Sequence, residues 1–198
     1  MKSIKSCAKS AFLRIPFLRM TVETASTACP ITFQGMFFQK LLGFNRKVPW
    51  PVHFTSKVTG HEYMRVGFNT APGVSIANYI FASREAPLEI GSFCAIASGV
   101  CIGTFNHDVY SIDQYMAKGP IVIGDYCWIG ANAVVLSGVV LGEHTTVAAG
   151  AIVTRSFPDG HCVIGGAPAR LIKKLDPSRC RKFRPKYLYS GYKRHGKA

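Results

Sequence analysis

The sequence predicts an all-β solenoid, a stack of short strands joined by sharp turns. Three observations predict it. Aliphatic residues return every sixth position in two runs, Ile90, Ile96, Ile102 and then Ile123, Ile129, Val135, Leu141, Val147, Val153. Four positions after each stands a compact residue in most cases: Cys94, Val100, Asn106, Cys127, Ala133, Val139, Thr145 and Ala151. Gly often follows the aliphatic directly, as at Gly91, Gly124, Gly130 and Gly142. A period of six belongs neither to a helix nor to an alternating strand. It suits turns stacked one on another, with the aliphatics piled into one core and small residues letting the backbone bend. An irregular sandwich of Val/Gly-rich strands would not keep these aliphatics in register.

Composition bounds the rest. A chain of 198 residues suits one domain with a sizeable core. With 48% hydrophobic residues it is not disordered as a whole. A formal net charge of +14 points to nucleic acid, a membrane surface or small anionic ligands. The cysteines, Cys7, Cys29, Cys94, Cys101, Cys127, Cys162 and Cys180, are odd in number and form no close pair. They read as free thiols of a reducing compartment, and none has zinc-ligand spacing, so no metal site is expected.

In chain order, residues 1–30 read as a basic tail and linker. Lys2, Lys5, Lys9, Arg14 and Arg19 surround Phe12, Leu13, Phe17 and Leu18, an apolar run broken by Arg14 and Pro16. The run is too short for a signal peptide or a membrane span, so the chain reads as cytoplasmic. A segment of this kind can lie on an anionic inner membrane face; a ragged tail is the plainer reading. Residues 20–30, rich in Thr, Ala and Ser and ending at Pro30, read as linker. Phe33, Phe37, Leu41 and Phe44 recur at helical spacing, which predicts a helix within 31–46 whose apolar face needs a partner.

The solenoid is expected over 47–165. Counting back by six from Ile90 reaches Val66 but passes Arg84, Asn78 and Pro72, so the early coils are irregular. The interval of 21 between Ile102 and Ile123 is not a multiple of six. The chain therefore leaves the solenoid over 108–120, and such insertions commonly carry binding surfaces. Within 166–198, Leu171, Ile172 and Leu175 predict a short helix ended by Asp176-Pro177, followed by a basic tail.

The repeat resembles the hexapeptide-repeat acyltransferases. The stretch from Ile121 to Val135, with Gly124, Trp128, Gly130 and Asn132, and the stretch Gly165-Gly166-Ala167-Pro168-Ala169-Arg170 resemble sugar O-acetyltransferases and xenobiotic acetyltransferases. Trp50-Pro51-Val52-His53-Phe54 resembles the members that act in capsule, lipopolysaccharide or colanic acid synthesis. The resemblance covers about residues 47–175. It implies a left-handed parallel β-helix, a homotrimer with sites between subunits, the inserted loop reaching toward a neighbour, and acetyl-CoA lying along the coils. The family histidine matches His107.

The chemistry can be read beside the resemblance. Moving an acetyl group from a thioester to a hydroxyl needs a base near the acceptor oxygen, and neutral imidazole suits that role. His107 stands where a regular coil meets the excursion, with Asn106 beside it able to bond backbone or ligand. Its second ring nitrogen needs an acceptor: a carbonyl of a nearby coil, Asp108 or Glu89. Asp108, Tyr110, Asp113 and Tyr115, together with His53, are candidates for the acceptor side. For acetyl-CoA, the small residues Ala131, Ser137, Ala149 and Gly150 leave room for the pantetheine arm. Arg170, Lys173 and Lys174 suit its phosphates, although a solvated face explains lysines nearly as well. His144 reads as an exposed surface residue and His195 as part of the tail. A covalent route through Cys101 or Cys127 ranks below direct attack. The competing functions are N-acetylation of an amino sugar or small amine, a non-catalytic scaffold, and nucleic-acid binding by the tail, which carries no reading motif. The reading adopted is an acetyl-CoA-dependent O-acetyltransferase without nucleic-acid partners.

Overall fold

The computed structural model describes residues 15–197. Lys2, Lys5, Lys9, Arg14, Phe12, Leu13 and Cys7 lie outside them. Three parallel sheets form the faces of a left-handed β-helix. The first holds Lys57–Thr59, Tyr79–Phe81, Cys101–Gly103, Val134–Val135 and Ile152–Val153. The second holds Met64–Val66, Leu88–Ile90, Ile121–Ile123 and Val140–Leu141. The third holds Ala95–Ile96, Trp128–Ile129, Thr145–Val147 and Cys162–Gly165.

The six-residue period becomes one side of a triangle. Ile123 pairs opposite Leu141, Ile129 opposite Val147 and Val135 opposite Val153, 18 residues or three repeats per coil. All nine periodic aliphatics point inward, none more than 6% exposed. Each contributes about 1.5–3 kcal/mol by leaving water, so this stack, rather than strands of two or three residues, holds the fold. The compact positions are buried too, from Cys94 and Val100 to Thr145 and Ala151. Asn106 is the exception and lies exposed outside the coils.

The early coils keep the stack at longer intervals. Val58, Ile80 and Ile102 pair in a row 22 residues apart, and Val66 pairs with Ile90, 24 away. The extra residues lie in the corners, which is why counting back by six failed.

Both ends differ from expectation. Pro16–Thr24 is a helix, α1, rather than linker. Thr24 is buried, and its hydroxyl accepts a hydrogen bond from the Ile31 amide at 2.8 Å. The helix predicted within 31–46 is present as α2, Phe33–Met36, capped by Thr32 and continued by a wider turn over Phe37–Leu41. At the other end, Leu171 and Ile172 lie in a strand, Arg170–Lys174, antiparallel to Cys162–Gly165. Gly166, at φ 94°, helps reverse the chain, and the returning strand covers an edge that would otherwise be left open. The whole strand is exposed, so it had no apolar face to drive a helix. The C-terminal helical element is instead the short 3₁₀ turn Pro177–Arg179. The tail beyond it ends in a hairpin, Tyr187–Ser190 with Lys193–Lys197. Its Tyr189 is 2% exposed and donates to the Glu23 carboxylate at 2.5 Å, which ties the hairpin to α1.

Candidate functional site

The excursion leaves the first sheet after Cys101–Gly103 and forms a small hairpin, in which Asn106 and His107 pair with Met116 and Tyr115. Asp108 fastens its tip, accepting from the amides of Tyr110 and Ser111 at 2.7 and 3.1 Å. Asn106 accepts from the His107 amide at 2.9 Å. Ser137 secures the return: its hydroxyl accepts from Lys118 N at 2.8 Å and donates to Gly119 O at 3.1 Å. Ser137 is thus a clamp on the excursion rather than open space for a ligand.

His107 is oriented from within the hairpin. Its Nδ1 lies 2.6 Å from the carbonyl oxygen of Ile112. A carbonyl only accepts, so Nδ1 carries the proton, and in the neutral ring Nε2 keeps its lone pair. The two carboxylates considered as orienting groups are engaged elsewhere, Asp108 in the turn and Glu89 with Arg65 at 3.5 Å. Tyr115 packs on the imidazole with ring centres 4.6 Å apart. Asp113 accepts from Gln114 at 3.1 Å. Tyr110, 95% exposed, stands at the tip.

An aromatic row that the sequence reading missed leads to this histidine. Tyr79 packs on Phe81, Phe81 on Phe105 and Phe105 on Tyr115, with ring centres 4.8, 4.9 and 5.5 Å apart. Gly103 makes room for it, since a Cβ there would lie 2.2 Å from Cζ of Phe81. Tyr79 and Phe81 flank the inward Ile80, an alternation that could have marked them as outward rings.

The residues assigned to acetyl-CoA fall in two groups. Ala131, Ala149 and Gly150 share one corner, where the Gly150 amide donates to Ala131 O at 2.8 Å. Ala149 and Gly150 are exposed, and a Cβ on Gly150 would meet nothing within 4 Å. This bare corner suits a slender chain. Arg170, Lys173 and Lys174 lie on the terminal strand. Arg170 and Lys173 pair opposite Gly165 and Val163 and share its outer face. Lys174 pairs opposite the buried Cys162 and lines a cavity of about 360 Å³ at the end of the helix with His161 and Leu175. A strand thus separates lysines that a helical reading grouped.

The corner precedes the parallel strands Val134–Val135 and Ile152–Val153, while the hairpin follows Cys101–Gly103 in the same sheet. Within one chain, the two parts of the site lie at opposite ends of one face. His53 is with neither. Its Nδ1 accepts from the Thr55 amide at 3.2 Å and its ring packs on Phe54 at 4.5 Å, beside Met36 and Tyr192.

Other reactive groups are poorly placed for catalysis. His144 is half-buried rather than exposed, stacked on Tyr126 at 4.9 Å, and burial lowers its pKa. Cys127 is 1% exposed and donates to Gly142 O at 3.3 Å. Burial pushes the Cys101 thiol up, away from thiolate character. The six described cysteines are free, and no cluster among the described residues could hold a metal.

Comparison with known proteins adds the family context. The family described as bacterial transferase hexapeptide (six repeats) matches residues 120–155. Chloramphenicol acetyltransferase of Klebsiella aerogenes is 28% identical over 165 residues, 72% of this chain and 76% of that one. The putative lipopolysaccharide biosynthesis O-acetyl transferase WbbJ of Escherichia coli K12 is 31% identical over 115 residues, 52% of this chain and 58% of that one. A 2,3,4,5-tetrahydropyridine-2,6-dicarboxylate N-acetyltransferase of Enterococcus faecalis is 48% identical over 60 residues, 30% of this chain and a quarter (25%) of that one. Among solved structures, a galactoside acetyltransferase in complex with coenzyme A superposes with a TM-score of 0.51 at 25% identity, over 64% of each chain. The chain thus spans three quarters of the first relative but much less of the others.

Proposed function

We propose that the chain is a hexapeptide-repeat acyltransferase that transfers an acetyl group from acetyl-CoA to a hydroxyl of a sugar or surface-polysaccharide precursor. The observation that carries the mechanism is the 2.6 Å hydrogen bond from His107 Nδ1 to Ile112 O. It fixes the tautomer whose Nε2 can take a proton. In this reading Nε2 removes the proton as the acceptor oxygen attacks the thioester carbon. The proton then passes to the departing CoA thiolate, and the acetyl ester is the product. A backbone amide at a small-residue corner steadies the oxyanion between these events. Exposed Tyr115 and Tyr110 offer surfaces for the acceptor. Ala131, Ala149 and Gly150 line the path of the pantetheine arm, and Arg170 and Lys173 meet the phosphates.

We place the complete site between subunits of a homotrimer. Two features support this: the hairpin and the bare corner lie at opposite ends of one face, and the hairpin tip holds Val109 and Ile112 at 87% and 80% exposure. Burying such a tip against a neighbour removes apolar surface from water. A monomer in light scattering at micromolar concentration would remove this part of the proposal. We place the reaction in the cytoplasm, in keeping with the free thiols, with an acceptor that is either soluble or carried on a lipid at the inner membrane face.

The deciding assay is release of free CoA thiol from acetyl-CoA with sugar acceptors. No release above background with any hydroxyl acceptor would reject the proposal. Release with amino sugars alone would favour N-acetylation, the reaction named for the Enterococcus faecalis relative.

A further inference from the structure

A second exposed apolar surface lies away from His107, on α2 and the turn that continues it. Phe33 and Leu41 are 70% and 69% exposed, with Leu42, Phe44 and Phe37 at 51%, 48% and 40%. Phe17 of α1 packs against Phe33 with ring centres 5.8 Å apart, and together they form an open groove of about 390 Å³ whose only charged lining residue is Lys40.

An amphipathic helix ordinarily buries its apolar side. Here the inward side is held by an amide. Gln39, 1% exposed, donates through Nε2 to the carbonyls of Val48 at 3.1 Å and Trp50 at 2.9 Å. Its Oε1 accepts from the Val52 amide at 3.0 Å and from the Tyr192 hydroxyl at 2.6 Å. This buried network fixes the rotation of the turn, so the phenylalanines and leucines are held outward.

The charges of the segment that carries the patch are of one sign. Between Glu23 and Glu62 the sequence holds no acidic residue, while Lys40, Arg46, Lys47 and Lys57 all fall there. Lys40 lies 4.7 Å over the ring of Tyr192, which brings the basic hairpin beside the patch. A second copy meeting this face through a twofold axis would oppose like charges. An anionic lipid surface complements them, and aromatic and leucine side chains suit the boundary between headgroups and acyl chains. No described helix is long and apolar enough to cross a bilayer, so contact would be along the surface.

We infer that the outward face of Phe33–Leu42 is a membrane-docking surface that seats the protein on an anionic bilayer, with Phe33, Phe37 and Leu41 in the interface and Lys40, Arg46 and Lys47 against the headgroups. Its partner is the lipid surface itself, so the inference does not depend on which acceptor the enzyme uses.

The test is co-sedimentation of the full chain with vesicles of phosphatidylcholine alone or mixed with phosphatidylglycerol. The wild type is expected to bind the anionic vesicles, more weakly as salt rises, and to leave the neutral ones unbound. A Phe33→Ser/Leu41→Ser variant should bind the anionic vesicles on the order of tenfold more weakly, the least that removing two interfacial apolar side chains implies. Both residues are exposed, so its thermal midpoint and its thiol release with a soluble acceptor should match wild type. Failure of the wild type to bind overturns the inference. So does unchanged binding by the variant, which would assign attachment to basic tails alone. A fall in oligomer mass in the variant overturns it as well, because the face would then be an interface between copies.

Discussion

Replacing His107 with Ala separates catalysis from folding. The side chain is exposed and makes one hydrogen bond, to Ile112 O at 2.6 Å. Losing such a bond costs about 0.5–1.5 kcal/mol. In a chain of this length that lowers the melting midpoint by only a few degrees, at about 2–4 °C per kcal/mol. The catalytic loss is larger. Without a base on Nε2, turnover should fall about 10²–10⁴-fold, equivalent to about 2.7–5.5 kcal/mol in the barrier. Unfolding therefore cannot account for it at room temperature. In the proposed site acetyl-CoA is bound by the corner at Ala131 and Gly150 and by Arg170 rather than by the imidazole, so CoA affinity in calorimetry should be nearly unchanged. Thiol release gives the rate, and light scattering confirms the assembly. Near-normal turnover in a folded variant would remove His107 from the mechanism. Equal losses of turnover and CoA affinity would show a collapsed site instead.

Three further outcomes follow from the same geometry. Gly103→Ala places a methyl 2.2 Å from Phe81 Cζ; overpacking should destabilise by about 1–3 kcal/mol and, by shifting the aromatic row, lower turnover, and a variant indistinguishable from wild type in both would uncouple that row from the site. Arg170→Glu with Lys173→Glu reverses two charges on the outer face of the terminal strand and should raise KM for acetyl-CoA more than for the acceptor, whereas Lys174→Glu, which faces the end cavity, should change it less; equal shifts in both KM values would point to general damage. Tyr189→Phe removes a hydrogen bond to the buried carboxylate of Glu23, worth about 1.5–3 kcal/mol, and should lower the melting midpoint by several degrees while acetyl transfer survives; an unchanged midpoint would mean that the hairpin and α1 do not depend on each other.

The sequence by itself determined the coil. A six-residue period repeats the same demand at every turn, an aliphatic inward and a compact residue at the bend, so nine positions state one rule and the register follows without long-range knowledge. It also determined where the coil is interrupted, because the interval between Ile102 and Ile123 breaks that rule, and so it located His107. What holds His107 is another matter. The carbonyl of Ile112 belongs to the backbone and has no signature in residue type, so only the folded hairpin could show it as the partner. The ends were decided by tertiary structure for a related reason. Glu23 and Tyr189 are 166 residues apart, and α1 and the C-terminal hairpin are held partly by that contact rather than by a local pattern. Leu171 and Ile172 had spacing compatible with a helix, but an open sheet edge lay within reach, and unpaired backbone groups on that edge outweighed a weak local propensity.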